Sequence, residues 1–122
     1  GSIYDFLKFQ SLGKKLNFFK NKKIDLKHKG FDTTYIVKKN SRNFVGSLKN
    51  NNSNVQVNFF SNLPGVQLYS AQNLNYKKKL FPYHGICLET QYFPDTPNKK
   101  NFPSTLIKAN KRYTCFTKIK IY

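Results

Sequence analysis

The chain has 122 residues, enough for one domain with a single modest core. Hydrophobic residues make up 39% and aromatic residues 16% of the sequence, which argues against intrinsic disorder. No run of about 18 apolar residues occurs, so we expect no membrane-spanning helix. The first residues also lack the basic and apolar regions of a signal peptide.

Charge is the most unusual feature of the composition. The chain carries 22 Lys and Arg against 5 Asp and Glu, a formal net charge of +17 at pH 7. Lysine-rich surfaces bind phosphate backbones by releasing counterions, so a basic nucleic-acid-associated β-domain is one hypothesis. However, only 2 of the 22 basic residues are Arg, and 15 Asn accompany them. This bias is typical of drift toward A- and T-rich codons, so we do not expect nucleic acid to be the main partner.

In chain order, the first half of the sequence shows the two-residue alternation of half-buried antiparallel strands. Four strands are predicted there, at 33–38, 43–49, 55–60 and 66–70. A polar turn at 38–41 separates the first two, and the polar tract Asn50 to Ser53 predicts a hairpin tip. The turn Leu63-Pro64-Gly65 leads into the fourth strand, on whose polar side Gln67 lies.

The second half continues this alternation between longer loops. A loop is predicted at 71–79, with a solvated lysine triplet at its end. Two more strands are predicted, at 85–91 and 113–122. The segment 93–104 between them holds three prolines, too many for a helix. No helix of three turns is expected, so residues 1–122 are predicted to form a single all-β domain, an antiparallel sandwich.

The two cysteines, Cys87 and Cys115, are far apart in sequence and have no C-x-x-C partner. This spacing argues against a zinc site or a redox motif. We expect buried, reduced thiols in a cytoplasmic protein, and a single disulfide in a secreted protein is the alternative.

Glu89 is the residue with the clearest chemical interest. It is one of only five acidic residues and lies in the middle of a predicted strand. In the structural interpretation it belongs to the polar face of an amphipathic strand or pairs with a lysine. In the functional interpretation it is a partly buried carboxylate that serves as a general base.

The sequence around Glu89 favours the functional interpretation. The segment from Gly85 to Asn98, G-I-C-L-E-T-Q-Y-F-P-D-T-P-N, with N-F-P-S at 101–104, resembles the C-terminal signature of the aldose 1-epimerases, or galactose mutarotases. Gly30-Phe31-Asp32 with Tyr35 is similar to the G-Y-D-H segment of that family. The residues from Leu63 to Tyr69, L-P-G-V-Q-L-Y, resemble its P-G-V-Q-x-Y strand. The three motifs follow the family's order.

This resemblance implies a fold, a reaction and three site residues. Glu89 matches the catalytic base, Asp32 matches an aspartate that binds sugar hydroxyls, and Gln67 matches a glutamine of the sugar cleft. The implied fold is a large twisted β-sandwich. The implied reaction is exchange of the α and β anomers of a hexose such as galactose or glucose, with neither a metal nor an organic cofactor.

The chain also departs from the family pattern. The family's acid is a histidine in an N-H-x-Y-F-N segment, which this sequence lacks, and Thr33 stands where a histidine follows the motif aspartate. We therefore expect the C-terminal third of a mutarotase, without the N-terminal half of the fold. Such a piece should be marginally stable alone and should self-associate or pack against that half. A sharp two-state melt of a dilute monomer would contradict this expectation.

The remaining titratable residues have weaker claims to a role. His84, five residues before Glu89, is a conceivable substitute acid, but an extended strand of that length spans roughly 16 Å. His28 is expected to face solvent, and Asp95 is expected to make a turn or a capping hydrogen bond.

Three functions therefore stay open at this point. The first is the base-bearing part of an aldose 1-epimerase. The second is a non-catalytic carbohydrate-binding or interaction module of the same fold. The third is the nucleic-acid-associated β-domain, whose binding would fall steeply with salt.

Overall fold

The computed structural model describes residues 2–20 and 29–122. One α-helix and six β-strands lie in these ranges: α1 Leu12–Lys20, β1 Asp32–Ile36, β2 Phe44–Lys49, β3 Gln56–Ser61, β4 Gly65–Tyr69, β5 Cys87–Gln91 and β6 Thr117–Ile121. The strands form two three-stranded antiparallel sheets, in the orders β1-β4-β5 and β2-β3-β6. All six predicted strands are present, and the prediction of an all-β antiparallel sandwich is confirmed.

The chain divides into two compact units, which we describe separately. The first unit contains Gly1–Thr33 and Leu68–Cys87, and the second contains Thr34–Gln67 and Leu88–Tyr122. That residues 1–122 form one folding domain remains a prediction.

The core of the first unit is a cluster of aromatic rings around Phe31. Phe31 is fully buried, and its ring centroid lies 5.1 Å from that of Phe19, 5.3 Å from Phe6 and 6.0 Å from Tyr4, all in edge-to-face geometry. Phe19 comes from α1, whose nine residues make about two and a half turns. The helix begins where the Ser11 hydroxyl accepts a hydrogen bond from the Lys14 amide at 3.3 Å.

In the second unit, β2 and β3 form the predicted hairpin. Their pairing runs from Phe44 opposite Phe60 to Lys49 opposite Gln56, with a bulge near Gly46. The tip is closed by a hydrogen bond from the Asn50 amide to the Val55 carbonyl at 2.9 Å. The polar tract at 50–53 is therefore a hairpin tip, as the sequence predicts.

The last strand is shorter than predicted. The segment before β6 is bound by side chains instead of a ladder: Ser61 Oγ donates to the Phe116 carbonyl at 2.8 Å, and Asn62 binds the backbone of both Thr114 and Phe116. Regular pairing with β3 begins only at Thr117. Residues 113–116 were expected to belong to the strand. Side-chain hydrogen bonds hold this segment instead of pairing with a neighbouring strand.

Two further expectations can be compared with the structure. Lys77, Lys78 and Lys79 are all exposed, as predicted for a solvated loop tip. Both cysteines are free, but the expectation of buried thiols is wrong: Cys87 is only half-buried, and Cys115 is exposed because β6 and the segment before it lie at the surface of the second unit. Within residues 2–20 and 29–122, no helix is both long and apolar enough to cross a membrane.

Candidate functional site

The three predicted site residues lie on β1, β4 and β5, the strands of one sheet. Asp32 is the first residue of β1, belongs to the first unit and is exposed. Gln67 is the middle residue of β4 and half-buried, whereas Glu89 is the middle residue of β5 and exposed; both belong to the second unit. In β4 the side chains of Val66 and Leu68 are buried, so Gln67 is on the polar side of its strand, as predicted.

Close packing at Gly65 brings the start of β4 against the end of β5. A Cβ atom at Gly65 would lie 3.0 Å from the ring of Phe93 and 3.2 Å from the carbonyl oxygen of Gln91. Gln67 and Glu89 each lie two residues inward from this contact. β4 and β5 are neighbours in the sheet order, so Gln67 and Glu89 lie on adjacent strands. A side chain at position 65 would therefore have to displace the ring of Phe93 by a few tenths of an ångström.

The side chain of Gln67 is oriented by a threonine. Thr34 in β1 donates a hydrogen bond through its hydroxyl to the side-chain oxygen of Gln67. This contact turns the amide oxygen toward β1, which leaves the amide nitrogen as the end that faces away from Thr34. Sequence reasoning did not identify Thr34, although its place in the alternating segment 33–38 was a usable signal.

Glu89 is open to solvent. The carboxylate is exposed, and no hydrogen bond or ion pair to it is found within the described part of the chain. The expectation of a partly buried carboxylate is therefore wrong for this structure, and the structural interpretation with a lysine partner has no support among the described residues. The neighbouring residue, Thr90, is half-buried and its hydroxyl contacts that of Thr117 in β6. The backbone on one side of Glu89 is thus held while its carboxylate stays accessible.

The segment that ends in Asp32 is fixed by buried hydrogen bonds in the first unit. Ser70 Oγ accepts a hydrogen bond from the Phe31 amide at 2.8 Å and donates one to Gln72 Oε1 at 3.0 Å. Ser70 is 1% exposed and Gln72 3%. A Cβ atom at Gly30 would lie 2.5 Å from Ser70 Oγ and 2.7 Å from Gln72 Oε1. This crowding explains the glycine of the Gly30-Phe31-Asp32 motif, and neither Ser70 nor Gln72 was identified from the sequence.

Asp95 has the structural role that was predicted. Its Oδ1 accepts a hydrogen bond from Asn98 Nδ2 at 2.6 Å, and its Oδ2 lies 3.4 Å from Lys99 Nζ. Asp95 adopts a left-handed conformation, with φ of 62°, immediately before a single 3-10 turn at Thr96–Asn98. Its carboxylate therefore stabilises the proline-rich loop and does not join Glu89.

The histidines contribute little to the candidate site. His84 belongs to the first unit, is exposed, and packs its ring edge-on against Phe81 at 5.5 Å. The prediction for His28 lies outside the described residues. Among residues 2–20 and 29–122, no group of three or more His, Cys, Asp or Glu side chains could hold a metal ion.

The sequence of the chain matches one known family and several of its members. The family description "Aldose 1-epimerase" matches residues 1–120. Galactose mutarotases of Homo sapiens and Bos taurus are 30% and 31% identical over 120 residues, 93% of this chain but only 33% of those proteins. The Mus musculus galactose mutarotase is 29% identical over 127 residues, 98% of this chain and 35% of that protein.

The chain therefore belongs to the aldose 1-epimerase family, and it spans about a third of the length of these relatives. The family match also begins at residue 1, so it includes α1 and the aromatic core as well as the three motifs.

Proposed function

We infer that this chain carries the general base and part of the sugar-binding surface of an aldose 1-epimerase. The single observation that supports this most strongly is the placement of Glu89. It is an exposed carboxylate on β5, the strand next to the β4 strand that carries Gln67, in a chain that matches the family over residues 1–120. The proposed substrate is a hexose such as galactose or glucose.

The chemistry needs one base and one acid. The Glu89 carboxylate takes the proton of the anomeric hydroxyl while an acid gives a proton to the ring oxygen. The bond between the anomeric carbon and the ring oxygen breaks, and the anomeric oxygen becomes an aldehyde carbonyl. Rotation about the adjacent carbon–carbon bond and closure on the other face give the other anomer, and each group regains its original protonation state.

Asp32 and Gln67 are proposed to bind the sugar hydroxyls. The amide of Gln67 is oriented by Thr34, and Asp32 follows the buried Gly30-Phe31 segment, so neither backbone position needs to reorganise when sugar binds. Fixed hydrogen bonds of this kind hold the anomeric hydroxyl near the base and contribute through positioning.

The acid is proposed to come from a part of a mutarotase that this chain does not span. The relatives are about three times longer than the matched region, and the family's N-H-x-Y-F-N segment is not found in this sequence. His84 is not favoured as a substitute, since its ring packs on Phe81. A cytoplasmic location, consistent with two free cysteines, is part of the same proposal.

A chimera tests the proposed role of Glu89. The third of human galactose mutarotase that matches this chain is replaced by residues 1–120, and exchange of fresh α-galactose and α-glucose is followed by polarimetry or NMR. Glu89→Gln should lower kcat by about 100-fold or more, because removal of a general base has effects of that order. The matched control is Asp95→Asn, which also neutralises a carboxylate of the second unit and should leave the rate within about threefold. An unchanged rate in Glu89→Gln would refute the assignment.

Binding measurements distinguish between the three functions that the sequence leaves open. Saturable binding of galactose or glucose without anomer exchange, in both the chain and the chimera, would favour the carbohydrate-binding module. Tight binding of an oligonucleotide that weakens steeply between about 50 and 200 mM salt would favour the nucleic-acid-associated domain.

A further inference from the structure

The first unit contains a cleft between helix α1 and the segment that leads into β5, which we call the α1 cleft. Its volume is about 430 Å³, within the range of small-molecule sites in proteins. One wall is a face of α1 that carries Leu16, Asn17 and Lys20, and the other wall contains Tyr83 and Ile86. All of the lining residues belong to the first unit, and the three predicted sugar-site residues are not among them. The α1 cleft is therefore lined by a different set of residues from the candidate functional site.

The walls of the α1 cleft are fixed by packing and hydrogen bonds. Two of the lining residues, Leu16 and Ser70, are buried. Tyr83 adopts a left-handed conformation, with φ of 69°, which a bulky side chain rarely does. Its amide donates to the Ala71 carbonyl at 2.9 Å, and its hydroxyl donates to the Lys29 carbonyl at 2.6 Å. Because these bonds hold Tyr83 in place, a ligand would meet a preformed wall and would not have to order it.

Helix α1 leaves space at Gly13, its second residue. Gly13 lines the α1 cleft, and a Cβ atom at this position would meet no other part of the chain within 4 Å. Glycine is a poor helix former, so helix propensity does not account for it here. The missing side chain keeps this part of the cleft open. A larger residue at position 13 would therefore fill the cleft without colliding with its walls.

The polar groups of the α1 cleft favour an anion. The ammonium group of Lys20 lies 4.7 Å from the centroid of the Tyr83 ring, a cation–π contact that holds the charge at the cleft. Asn17, three positions earlier on the same face of the helix, is exposed and offers the two donors of its amide group. Among the described residues, none that lines the cleft is acidic. The net charge of +17 adds a long-range attraction for anions.

The apolar lining of the α1 cleft indicates the rest of the ligand. Leu12, Leu16 and Ile86 line it, and Ile86 is 43% exposed. An apolar group that covered these side chains would remove their surface from water, which is favourable. A hexose has hydroxyl groups on all sides and no charge, so it matches this lining less well than a molecule with one anionic group and an apolar body.

We propose that the α1 cleft is a second ligand site, which binds a small amphipathic organic anion. The carboxylate or phosphate group of the ligand pairs with the Lys20 ammonium and accepts a hydrogen bond from the Asn17 amide. Its aliphatic or aromatic body lies against Leu12, Leu16 and Ile86. The proposal goes beyond the sugar-binding function and does not require Glu89 to be catalytic.

Titration of the chain with matched probes, followed by NMR of the backbone amides, tests the proposal. The probes are hydrocinnamate, phenylpropyl phosphate and the neutral hydrocinnamamide. We expect saturable shifts at α1 and at residues 83–86, and a Kd for at least one anion that is about tenfold or more below that of the neutral amide. The comparison of the two anions shows which acidic group is preferred. No saturable shift up to about 10 mM probe, or equal binding of the neutral amide, would overturn the proposal.

A cavity-filling variant locates the site. Gly13→Leu should weaken binding of the anion by about tenfold or more, because the new side chain occupies the cleft. Its melting temperature should not fall, since leucine is the better helix former. The matched control is Gly13→Ala, which adds one methyl group and should change Kd by less than about threefold. Unchanged binding in a folded Gly13→Leu variant would place the probe elsewhere and refute the assignment.

A charge variant tests the role of Lys20. Lys20→Met keeps an apolar stem but removes the ammonium group, so binding of the anion should weaken by about tenfold while binding of hydrocinnamamide stays the same. The matched control is Lys14→Met, the same change at an exposed lysine of α1 that does not line the cleft. Equal losses in the two variants would mean that net charge, and not the cleft, attracts the anion.

Two further outcomes keep this proposal separate from the proposed function. Glu89→Gln should bind the anion as well as the unmodified chain, and galactose should not displace it; displacement would place the probe on the sugar-binding surface and overturn the proposal. The chimera with human galactose mutarotase should bind the anion with a Kd within about threefold of the chain alone. Loss of binding in the chimera would show that the rest of that protein fills the cleft, and the proposal would be wrong.

Discussion

The Gly30-Phe31 segment of the first unit and strand β6 of the second unit differ sharply in burial and in hydrogen bonding. Phe31 is fully buried among three aromatic rings, and its amide is bound by the nearly buried Ser70. Strand β6 is exposed at all five positions, and among residues 2–20 and 29–122 it pairs with β3 alone. Since both segments fall within the family match, the difference shows that burial varies strongly between segments of one family fold.

The largest expected effect comes from truncating side chains in the two regions. Phe31→Ala should lower the free energy of unfolding by about 3–5 kcal/mol, because a buried aromatic side chain is replaced by a cavity. Ile119→Ala, at a position 55% exposed, should cost less than about 1 kcal/mol in the chain alone. Urea unfolding followed by circular dichroism measures both. Losses of equal size would show that the two regions are not as different as their burial indicates.

A second comparison uses glycines. Gly30→Ala should destabilise the first unit by about 1–3 kcal/mol, because the new methyl group would press on Ser70 Oγ and Gln72 Oε1, both of which are buried. The matched control is Gly13→Ala in α1, where no atom lies within 4 Å of the added Cβ. There the helix propensity of alanine should raise stability by up to about 1 kcal/mol. Opposite signs in the two melting shifts are the expected result, and equal signs would contradict the packing argument.

A smaller effect is expected at Thr34, on sugar binding instead of stability. Thr34→Val keeps the shape but removes the hydroxyl that donates to Gln67, so the KM for galactose in the chimera should rise about 2–10-fold, the equivalent of one ordinary hydrogen bond. Thr33→Val, the same change at the adjacent residue, should leave KM within about twofold. A rise in KM for both variants would point to a general disturbance of β1.

The strands were predictable because the alternation of apolar and polar residues and the positions of the turn residues indicate the same strand boundaries. The pattern around 50–53 contains only polar residues, and Asn50 closes the hairpin as such a tract predicts. The shortening of β6 was not predictable, since it depends on Ser61 and Asn62, which are more than fifty residues away and bind the segment before it. The nine-residue helix α1 was also not assigned, because its stability comes from packing of Phe19 on Phe31.

The candidate site also contains some residues that could be predicted from the sequence and others that could not. Glu89, Gln67 and Asp32 could be named from local motifs, and alternation correctly placed Gln67 on the polar side of β4. The residues that hold these motifs in place, Ser70, Gln72 and Thr34, could not be named, because their contacts cross between strands distant in sequence. The openness of Glu89 was also unexpected. Burial of a strand residue depends on what covers the sheet, and a sequence pattern does not specify that.

The smallest expected effect is a pH dependence in the first unit. Partial burial raises the pKa of Tyr83 above its ordinary value, and its Oη donates to the Lys29 carbonyl at 2.6 Å. Because the folded state holds this proton more tightly than the unfolded chain, the contribution of Tyr83 to stability is complete below about pH 10. It is lost as the pH rises through the raised pKa of the folded state.

Tyr83→Phe isolates this contribution, because the variant differs from the unmodified chain only in the phenol hydroxyl. The variant should be less stable than the unmodified chain at pH 8, because it lacks the hydrogen bond to Lys29. The difference between the two free energies of unfolding should then shrink as the pH rises above about 10, since the ionised phenol can no longer donate to the carbonyl. A difference that stays constant as the pH rises would mean that folding does not depend on ionisation of Tyr83.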